Sequence, residues 1–254
     1  MSTQKWTNLA YASISRKTRP THLPSNIPFR RLRTHLVQEQ FEHTADPQCP
    51  GQRVLDLFNN RVTIDTASPK KGTASFKAWV RDLKTEIKHL HDKPESVTVY
   101  TDGAFHHSDY KAAFAFTIPQ GNTWYDRYDW CPMASSFDAE LRAIEAALEY
   151  AIEKTPHDHI TIFIDNKAAA NSLFNFEVKS SQMSVVRINW LLKAWLSENH
   201  QQSLTVRFVP SHEGIIGNEH ADQLTKAGLE QCPTNPPPHP TIPLLIRAQA
   251  PRRA

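Results

Sequence analysis

The chain has 254 residues, and its 29 Lys and Arg against 26 Asp and Glu give a formal net charge of +3. This length suits one sizeable domain, or one domain with flanks. The sequence holds no apolar run of about 18 residues and no apolar segment behind Met1, which predicts no membrane span and no secretory signal. Three scattered cysteines indicate reduced thiols in an intracellular protein and argue against a zinc site; nucleus and cytoplasm both fit.

The charge is distributed unevenly along the chain. Residues 96–231 contain 10 Lys and Arg against 17 Asp and Glu, a net charge of −7, so the two flanks together carry +10. The first 37 residues hold seven Lys and Arg and no acidic residue. Such a segment can bind phosphate backbones without sequence preference, and it can equally be a solubilising arm or a targeting segment.

The flanks differ in character from the middle of the chain. Residues 1–50 are punctuated by prolines, which predicts a basic, largely irregular arm. Residues 51–95 are predicted to be partly ordered, with a short strand over 61–65 and an amphipathic helix over 76–91. Residues 232–254 are rich in proline and are predicted to be a flexible tail.

The central region, residues 96–231, shows the order β-β-β-α-β-α-α-β-α. Strands are predicted over 97–101, 111–118, 123–130, 160–164 and 204–209. Helices are predicted over 139–154, 167–174, 185–199 and 218–229. An antiparallel run followed by αβ crossovers predicts an α/β fold in which a mixed five-stranded sheet is flanked by helices. Its first, fourth and fifth strands should be parallel, and its second and third antiparallel.

Four acidic residues fall where these elements are expected to meet. Asp102 closes the first predicted strand and Asp165 closes the fourth, so both should lie at the carboxyl edge where α/β sheets bind ligands. Glu140 lies in the first turn of the first central helix, and Asp222 lies near the start of the last. Taken singly, such acids are typical of turns and helix ends. Together, four carboxylates in one cleft raise their own pKa values, and hard cations such as Mg²⁺ stabilise the ionised cluster.

Four sequence segments carry a resemblance to a known family. They are Thr101-Asp102-Gly103-Ala104, Ala139-Glu140-Leu141-Arg142, Ile164-Asp165-Asn166-Lys167, and the run from Pro210-Ser211-His212 through Gly217-Asn218-Glu219-His220-Ala221-Asp222. In this order and on these elements they resemble the RNase H type I domains, particularly those at the end of retroelement reverse transcriptases. The resemblance implies an RNase H-like fold for residues 96–231.

The resemblance also implies an activity. It implies an endoribonuclease that hydrolyses the RNA strand of RNA:DNA hybrids and leaves 5′-phosphate and 3′-hydroxyl ends. Asp102, Glu140, Asp165 and Asp222 would ligate two Mg²⁺ ions, for which Mn²⁺ can substitute, and His212 would assist proton transfer or product release. An RNA:DNA hybrid is the expected partner, a reverse transcriptase is a candidate partner, and the protein is expected to be a monomer.

Substrate contacts can be predicted near the same motifs. The backbone groups of Gly103 and Ala104 and the side chains of Ser135, Ser136 and Asn166 are candidates for contacts with 2′-hydroxyls and phosphates. Ser135 and Ser136 could equally be helix caps. Since sugar and phosphate contacts carry no base information, sequence preference should be weak.

Two departures from the family pattern are visible. Ala104 stands where a serine is frequent, which puts one substrate contact in doubt. Bacterial relatives carry a basic helix that grips the hybrid, whereas residues 175–184 contain Lys179 alone, so the basic flank or a partner should supply this grip.

Two alternatives to a hybrid-cutting enzyme are a catalytically inactive RNase H-like module, which binds nucleic acid or is structural, and a related fold such as a transposase, an integrase or an exonuclease. The presence of all four acids and of His212 favours the nuclease.

Overall fold

A computed structural model describes residues 50–233 of the chain, except for 109–110, 132–134, 156 and 176–181. Nearly all of the predicted N-terminal arm, most of the predicted tail and the segment around Lys179 lie outside these residues. Within the described part, no helix combines the length and the apolar character that a bilayer crossing requires.

Six strands of the described residues form one sheet in the order β1-β6-β5-β2-β3-β4. They are β1 Val62–Asp65, β2 Ser96–His106, β3 Lys111–Gln120, β4 Thr123–Trp130, β5 His159–Ile164 and β6 Ser203–Phe208. β2, β5 and β6 are mutually parallel, and β3 is antiparallel to both β2 and β4, which confirms the predicted mixed sheet. The short strand predicted over 61–65 is β1, but the predicted five-stranded sheet did not include it, whereas β1 joins the edge of the sheet in parallel with β6.

Six helices accompany the sheet in the described residues. They are α1 Pro50–Leu57, α2 Ala74–His91, α3 Ser136–Lys154, α4 Lys167–Ser172, α5 Gln182–Glu198 and α6 Ile216–Gln231. α2 confirms the predicted amphipathic helix: it buries Phe76, Val80, Leu83 and Ile87, and its N-terminus is capped by Thr73. α1 was not expected from the sequence.

The sheet separates two groups of buried side chains. Alternate residues of β5 point to opposite faces, as the pleat of a strand requires. Ile162 and Ile164 belong to the larger core, which also contains side chains of α1, α3 and α5. Phe163 belongs to the smaller core, in which Leu83 and Ile87 of α2 and Ala221 of α6 are buried. α2 is therefore part of the packed fold.

β2 is longer than predicted, and this moves Asp102 into the interior of the strand. The parallel pairing with β5 ends at Thr101, opposite Ile164. Beyond this point β2 continues to His106 because β3 supplies antiparallel partners, the first of which is Ala115 opposite Asp102. Asp102 thus lies where the parallel partner ends but not where the strand ends.

The first central helix begins three residues earlier than predicted. Ser135 is its N-cap, and the Ser135 hydroxyl oxygen accepts a hydrogen bond of 3.2 Å from the backbone N–H of Asp138. Glu140 consequently lies in the second turn of α3, not the first. Asp222 is likewise in the second turn of α6, because α6 begins at Ile216.

Candidate active site

Three of the four predicted acids meet at one edge of the sheet. Asp102 comes from β2, Glu140 from α3, and Asp165 directly follows β5. One carboxylate oxygen from each lies within 4.8 Å of the other two. Such a group offers three hard oxygen ligands at a spacing that a single cation can bridge.

The close approach of β2 and α3 depends on Gly103. A Cβ atom at this position would overlap the backbone of Ala139 and Glu140, so no larger residue fits between strand and helix. The hydroxyl of Ser136 donates a hydrogen bond of 3.0 Å to the Gly103 carbonyl oxygen and joins the same two elements. The glycine next to Asp102 therefore sets its distance from Glu140.

Asp165 is held by the loop that follows β6. The hydroxyl of Ser211, in the loop between β6 and α6, donates a hydrogen bond of 2.9 Å to Asp165 Oδ2. The next residue, Asn166, caps α4, since its Oδ1 accepts from the backbone N–H of Ala169 at 3.1 Å. The end of β5 and the start of α4 thus fix the backbone on which Asp165 stands.

Asp222, the fourth predicted acid, lies at the border of this group. It is not among the three carboxylates that approach within bonding range of one ion. Its Oδ2 accepts a hydrogen bond of 2.7 Å from Lys226 Nζ, one turn further along α6. Its charge nevertheless contributes to raising the pKa of Asp102, which places it near the cluster.

Burial and neighbouring charge raise the pKa of Asp102 to about 6. Desolvation is the largest cause, and the carboxylates of Asp165 and Asp222 add to it. Hydrogen bonds from the Thr225 side chain and the Gly103 backbone act in the opposite direction. The protein environment by itself therefore disfavours the charged form of Asp102.

Glu140 is the most deeply buried of the four predicted site acids, with 3% of its surface exposed. Burial, followed by the charges of Asp102 and Asp165, raises its pKa well above the ordinary value. Its Oε2 has no hydrogen-bond partner among the residues that the structure describes. A buried carboxylate oxygen without a donor fits a cation ligand, and the all-carboxylate donor set fits Mg²⁺ or Mn²⁺.

His212 lies in the loop of residues 209–215, which joins β6 to α6. It is exposed, its φ of 58° is left-handed, and it forms no hydrogen bond or ion pair within the described residues. Its neighbours are anchored: Glu213 pairs with Lys71 at 3.3 Å, and the backbone N–H of Gly214 donates to Glu219 Oε1 at 2.7 Å. The loop thus presents an unengaged imidazole one residue after Ser211, which contacts Asp165.

The predicted substrate-contact residues have structural partners. Ser135 caps α3, Ser136 bonds Gly103, and Asn166 caps α4. Ala104 lies in β2 opposite Ala113. These contacts explain why the residues surround the carboxylates, and a role in binding nucleic acid stays a prediction.

Sequence reasoning missed two residues that shape the site. Thr225 is fully buried in α6, and its Oγ1 lies 3.0 Å from the Ala221 carbonyl oxygen and 3.3 Å from that of Asp102. Gly217 lets α6 approach β2, since a Cβ there would overlap the ring of Tyr100. Helical spacing offered a signal for Thr225, three residues after Asp222.

One protein family and two solved structures are similar to this chain. The family model described as RNase H matches residues 94–230. Among solved structures, RNase H1 from the halophilic archaeon Halobacterium salinarum NRC-1 is 23% identical, with a TM-score of 0.41, over 53% of this chain and 98% of its own. The N-terminal RNase H domain of Rv2228c from Mycobacterium tuberculosis, solved as a fusion with maltose binding protein, is 18% identical, with a TM-score of 0.42, over 53% and 94%.

No curated protein sequence matches the chain. Because the RNase H model covers more than half of its 254 residues, the chain belongs to the RNase H family.

Proposed function

We propose that the protein is an endoribonuclease that hydrolyses the RNA strand of RNA:DNA hybrids with the help of divalent cations. One observation carries this proposal: in a chain of the RNase H family, the carboxylates of Asp102, Glu140 and Asp165 lie within 4.8 Å of one another. Mutual repulsion of these carboxylates does not stabilise the fold. Metal-assisted hydrolysis, by contrast, requires carboxylates that lie this close together.

Asp102, Glu140, Asp165 and Asp222 would hold two Mg²⁺ ions, with Mn²⁺ as a substitute. Such ions would supply activation of a water for in-line attack on a phosphate and stabilisation of the leaving 3′ oxygen, which would give products with 5′-phosphate and 3′-hydroxyl ends. Lys226 Nζ, 2.7 Å from Asp222 Oδ2, balances the charge of the fourth carboxylate in the metal-free protein.

Other residues of the chain position these groups and move protons. Ser211 orients Asp165 through its donated hydrogen bond, and Thr225 supports Asp102 from α6. His212 stands exposed beside Ser211, and imidazole side chains commonly serve as general acids and bases in catalysis. We assign His212 to proton transfer or product release.

Selection of the RNA strand requires detection of 2′-hydroxyl groups. Gly103, Ala104, Ser135, Ser136 and Asn166 surround the carboxylates and are proposed for these contacts. Three further points stay predictions. They are kinship with the RNase H domains of retroelement reverse transcriptases, a reverse transcriptase as partner, and a monomeric protein located in the nucleus or cytoplasm.

The test uses the full chain and a duplex whose RNA strand is labelled at its 5′ end. With Mg²⁺ or Mn²⁺ we expect nicks in the RNA of the hybrid, no cleavage of RNA duplex or DNA duplex, and full inhibition by EDTA. Asp102→Asn should abolish cleavage while the protein still binds the hybrid. Binding without cleavage by the wild type in either metal would replace this proposal with the inactive module.

A further inference from the structure

Four basic side chains form a row along one face of α2. Lys77, Arg81, Lys84 and Lys88 follow one another at spacings of four and three residues, so at about 100° per residue they fall within an arc of about 60°. All four are exposed. At 1.5 Å per residue the α2 row is about 16 Å long.

Most of the row lacks counter-charges. Lys77, Lys84 and Lys88 form no ion pair within the described residues, and Arg81 contacts only its exposed neighbour Asp82, at 3.2 Å. The other acid of α2, Glu86, lies on a different side of the helix and pairs with Arg207 of β6 at 2.6 Å. Exposed pairs such as Arg81–Asp82 are weak, so the face keeps a high positive potential.

The α2 row runs past the loop that carries His212. A Cβ atom built on Gly214 would lie 3.0 Å from Lys84 Nζ, which places this ammonium group against the loop. The apolar face of α2, about 110° around the helix from the row, is anchored in the fold, since Leu83 and Ile87 are buried together with Tyr100 of β2. The row is therefore held rigidly beside the strand that bears Asp102.

The rest of the domain has few cations to spare for a polyanion. Residues 96–231 carry a net charge of −7 from 10 basic and 17 acidic side chains. Arg142 and Arg187 are both engaged by Glu145, and Lys226 by Asp222. A phosphate backbone that enters the cleft thus meets mainly negative charge unless another element compensates for it. α2 ends before residue 94, where the match to the RNase H family begins.

We propose that the α2 row binds the phosphate backbone of the nucleic acid substrate next to the carboxylates. The four side chains of the row line an open depression together with Val80, Thr85, His89 and Asp92, and the four cations of the row outnumber the one acid in this lining. The inference rests on the proposed function for the identity of the substrate, an RNA:DNA hybrid. Contacts of this kind neutralise phosphates, release counterions and carry no base specificity.

The experiment measures binding of the full chain to a fluorescein-labelled hybrid of about 18 base pairs, as a function of salt and in EDTA so that no cleavage occurs. The quadruple variant K77Q/R81Q/K84Q/K88Q removes the row. Since each phosphate contact contributes about 0.7 to 0.9 to the slope of log K against log salt, we expect the slope to fall by about 3 and affinity near 0.1 M salt to fall at least about tenfold.

A matched pair of variants controls for overall charge. K77Q/K88Q and R127Q/K154Q each remove two exposed cations, but Arg127 is on β4 and Lys154 is at the far end of α3 from Glu140. We expect the α2 pair to lower the slope by about 1.5 and the control pair by less than about 0.5. Equal effects of the two pairs, or an unchanged slope in folded α2 variants, would overturn the proposal; thermal melting verifies folding.

Cleavage is measured separately with Mg²⁺. If the wild type cuts no hybrid but the α2 variants still lose affinity, the proposed nuclease function fails, and the proposal that the α2 row binds phosphates is retained. If the wild type cuts hybrids and the α2 variants bind them normally, the nuclease stands and the α2 row has no part in it.

Discussion

Two buried glutamates on one helix differ in the partners that surround their carboxylates. Glu140 and Glu145 are five residues apart on α3, with 3% and 1% of their surface exposed. Glu145 accepts hydrogen bonds from Ser184 at 2.7 Å and from Arg187 at 2.9 Å, and Arg142 lies at 3.3 Å.

Glu140 is surrounded by like charge instead. It faces the carboxylates of Asp102 and Asp165, and its Oε2 has no partner in the described part of the chain. Both glutamates are buried, but among the described residues cationic side chains pair only with Glu145, so burial alone does not distinguish a structural acid from one proposed to bind a cation. The protein itself supplies positive charge to Glu145, whereas under the proposed function a bound cation supplies it to Glu140.

The largest effect expected from breaking this contrast is on cleavage. Glu140→Gln removes a buried carboxylate proposed to bind a cation, and the loss of several kcal/mol of transition-state stabilisation should lower kcat about a thousandfold. Glu145→Gln, the matched change on the same helix, should lower it less than about threefold if it folds. Single-turnover cleavage of a labelled hybrid measures both; similar losses would place Glu145 in the site as well.

The second effect is on stability, and here the change at Glu145 should cost more than the change at Glu140. Glu145→Ala removes the buried acceptor of Ser184 and one partner of Arg187, and the free energy of unfolding should fall by about 3 kcal/mol. This value is at the low end for a buried pair because Arg187 is 37% exposed. Urea unfolding in EDTA measures it, with Glu140→Ala as the comparison, and an equal loss in Glu140→Ala would contradict the contrast.

The third effect is a pH dependence of the metal-free protein. The folded pKa of Asp102 is raised to about 6, so the native state binds a proton that the unfolded chain has already lost. Stability from this group is therefore present below about pH 4 and lost as pH rises through about 6.

Asp102→Asn removes this loss. In EDTA at pH 7.5 we expect the variant to exceed the wild type by about 2 kcal/mol in unfolding free energy, since part of the side chain reaches solvent. The advantage should vanish near pH 4. An advantage that is constant from pH 4 to pH 8 would show that the charge of Asp102 is not its source.

The smallest effect is the stabilisation by metal itself. At ten times its dissociation constant, Mg²⁺ should add about 1.4 kcal/mol to the stability of the wild type, a shift of about 2–4 °C in Tm. Glu140→Gln should show less than half of this shift, and Glu145→Gln the full shift. Differential scanning calorimetry decides, and equal shifts in both variants would place the ion elsewhere.

Local patterns were sufficient to predict the sheet and the acidic residues. Alternation predicted the strands that became β2 to β6, and crossover rules predicted their directions, because both follow from short-range sterics. The same residues placed Asp102 and Asp165 on neighbouring parallel strands. The helical period likewise predicted α2 from Phe76, Val80, Leu83 and Ile87.

Element boundaries and close approaches depended on partners far along the chain. β2 runs past Asp102 because β3 pairs with it there, and the strand predicted over 61–65 joins the sheet as β1 because β6 offers an open edge. α3 starts at Ser136 because Ser135 caps it. Position 103 must be glycine because the backbone of α3 lies so close to it that a side chain would overlap Glu140.

The sequence by itself determined the strand directions, the four acids and the family resemblance, since these rest on periodicity and on motifs within single segments. Only the tertiary structure decided that Glu140 Oε2 has no partner among the described residues, while Glu145 contacts Ser184, Arg187 and Arg142. It likewise decided that Asp222 lies at the border of the acidic cluster and that Lys84 borders the His212 loop. Charges pair when they lie close together in space, and the sequence does not reveal this distance for residues that are tens of positions apart.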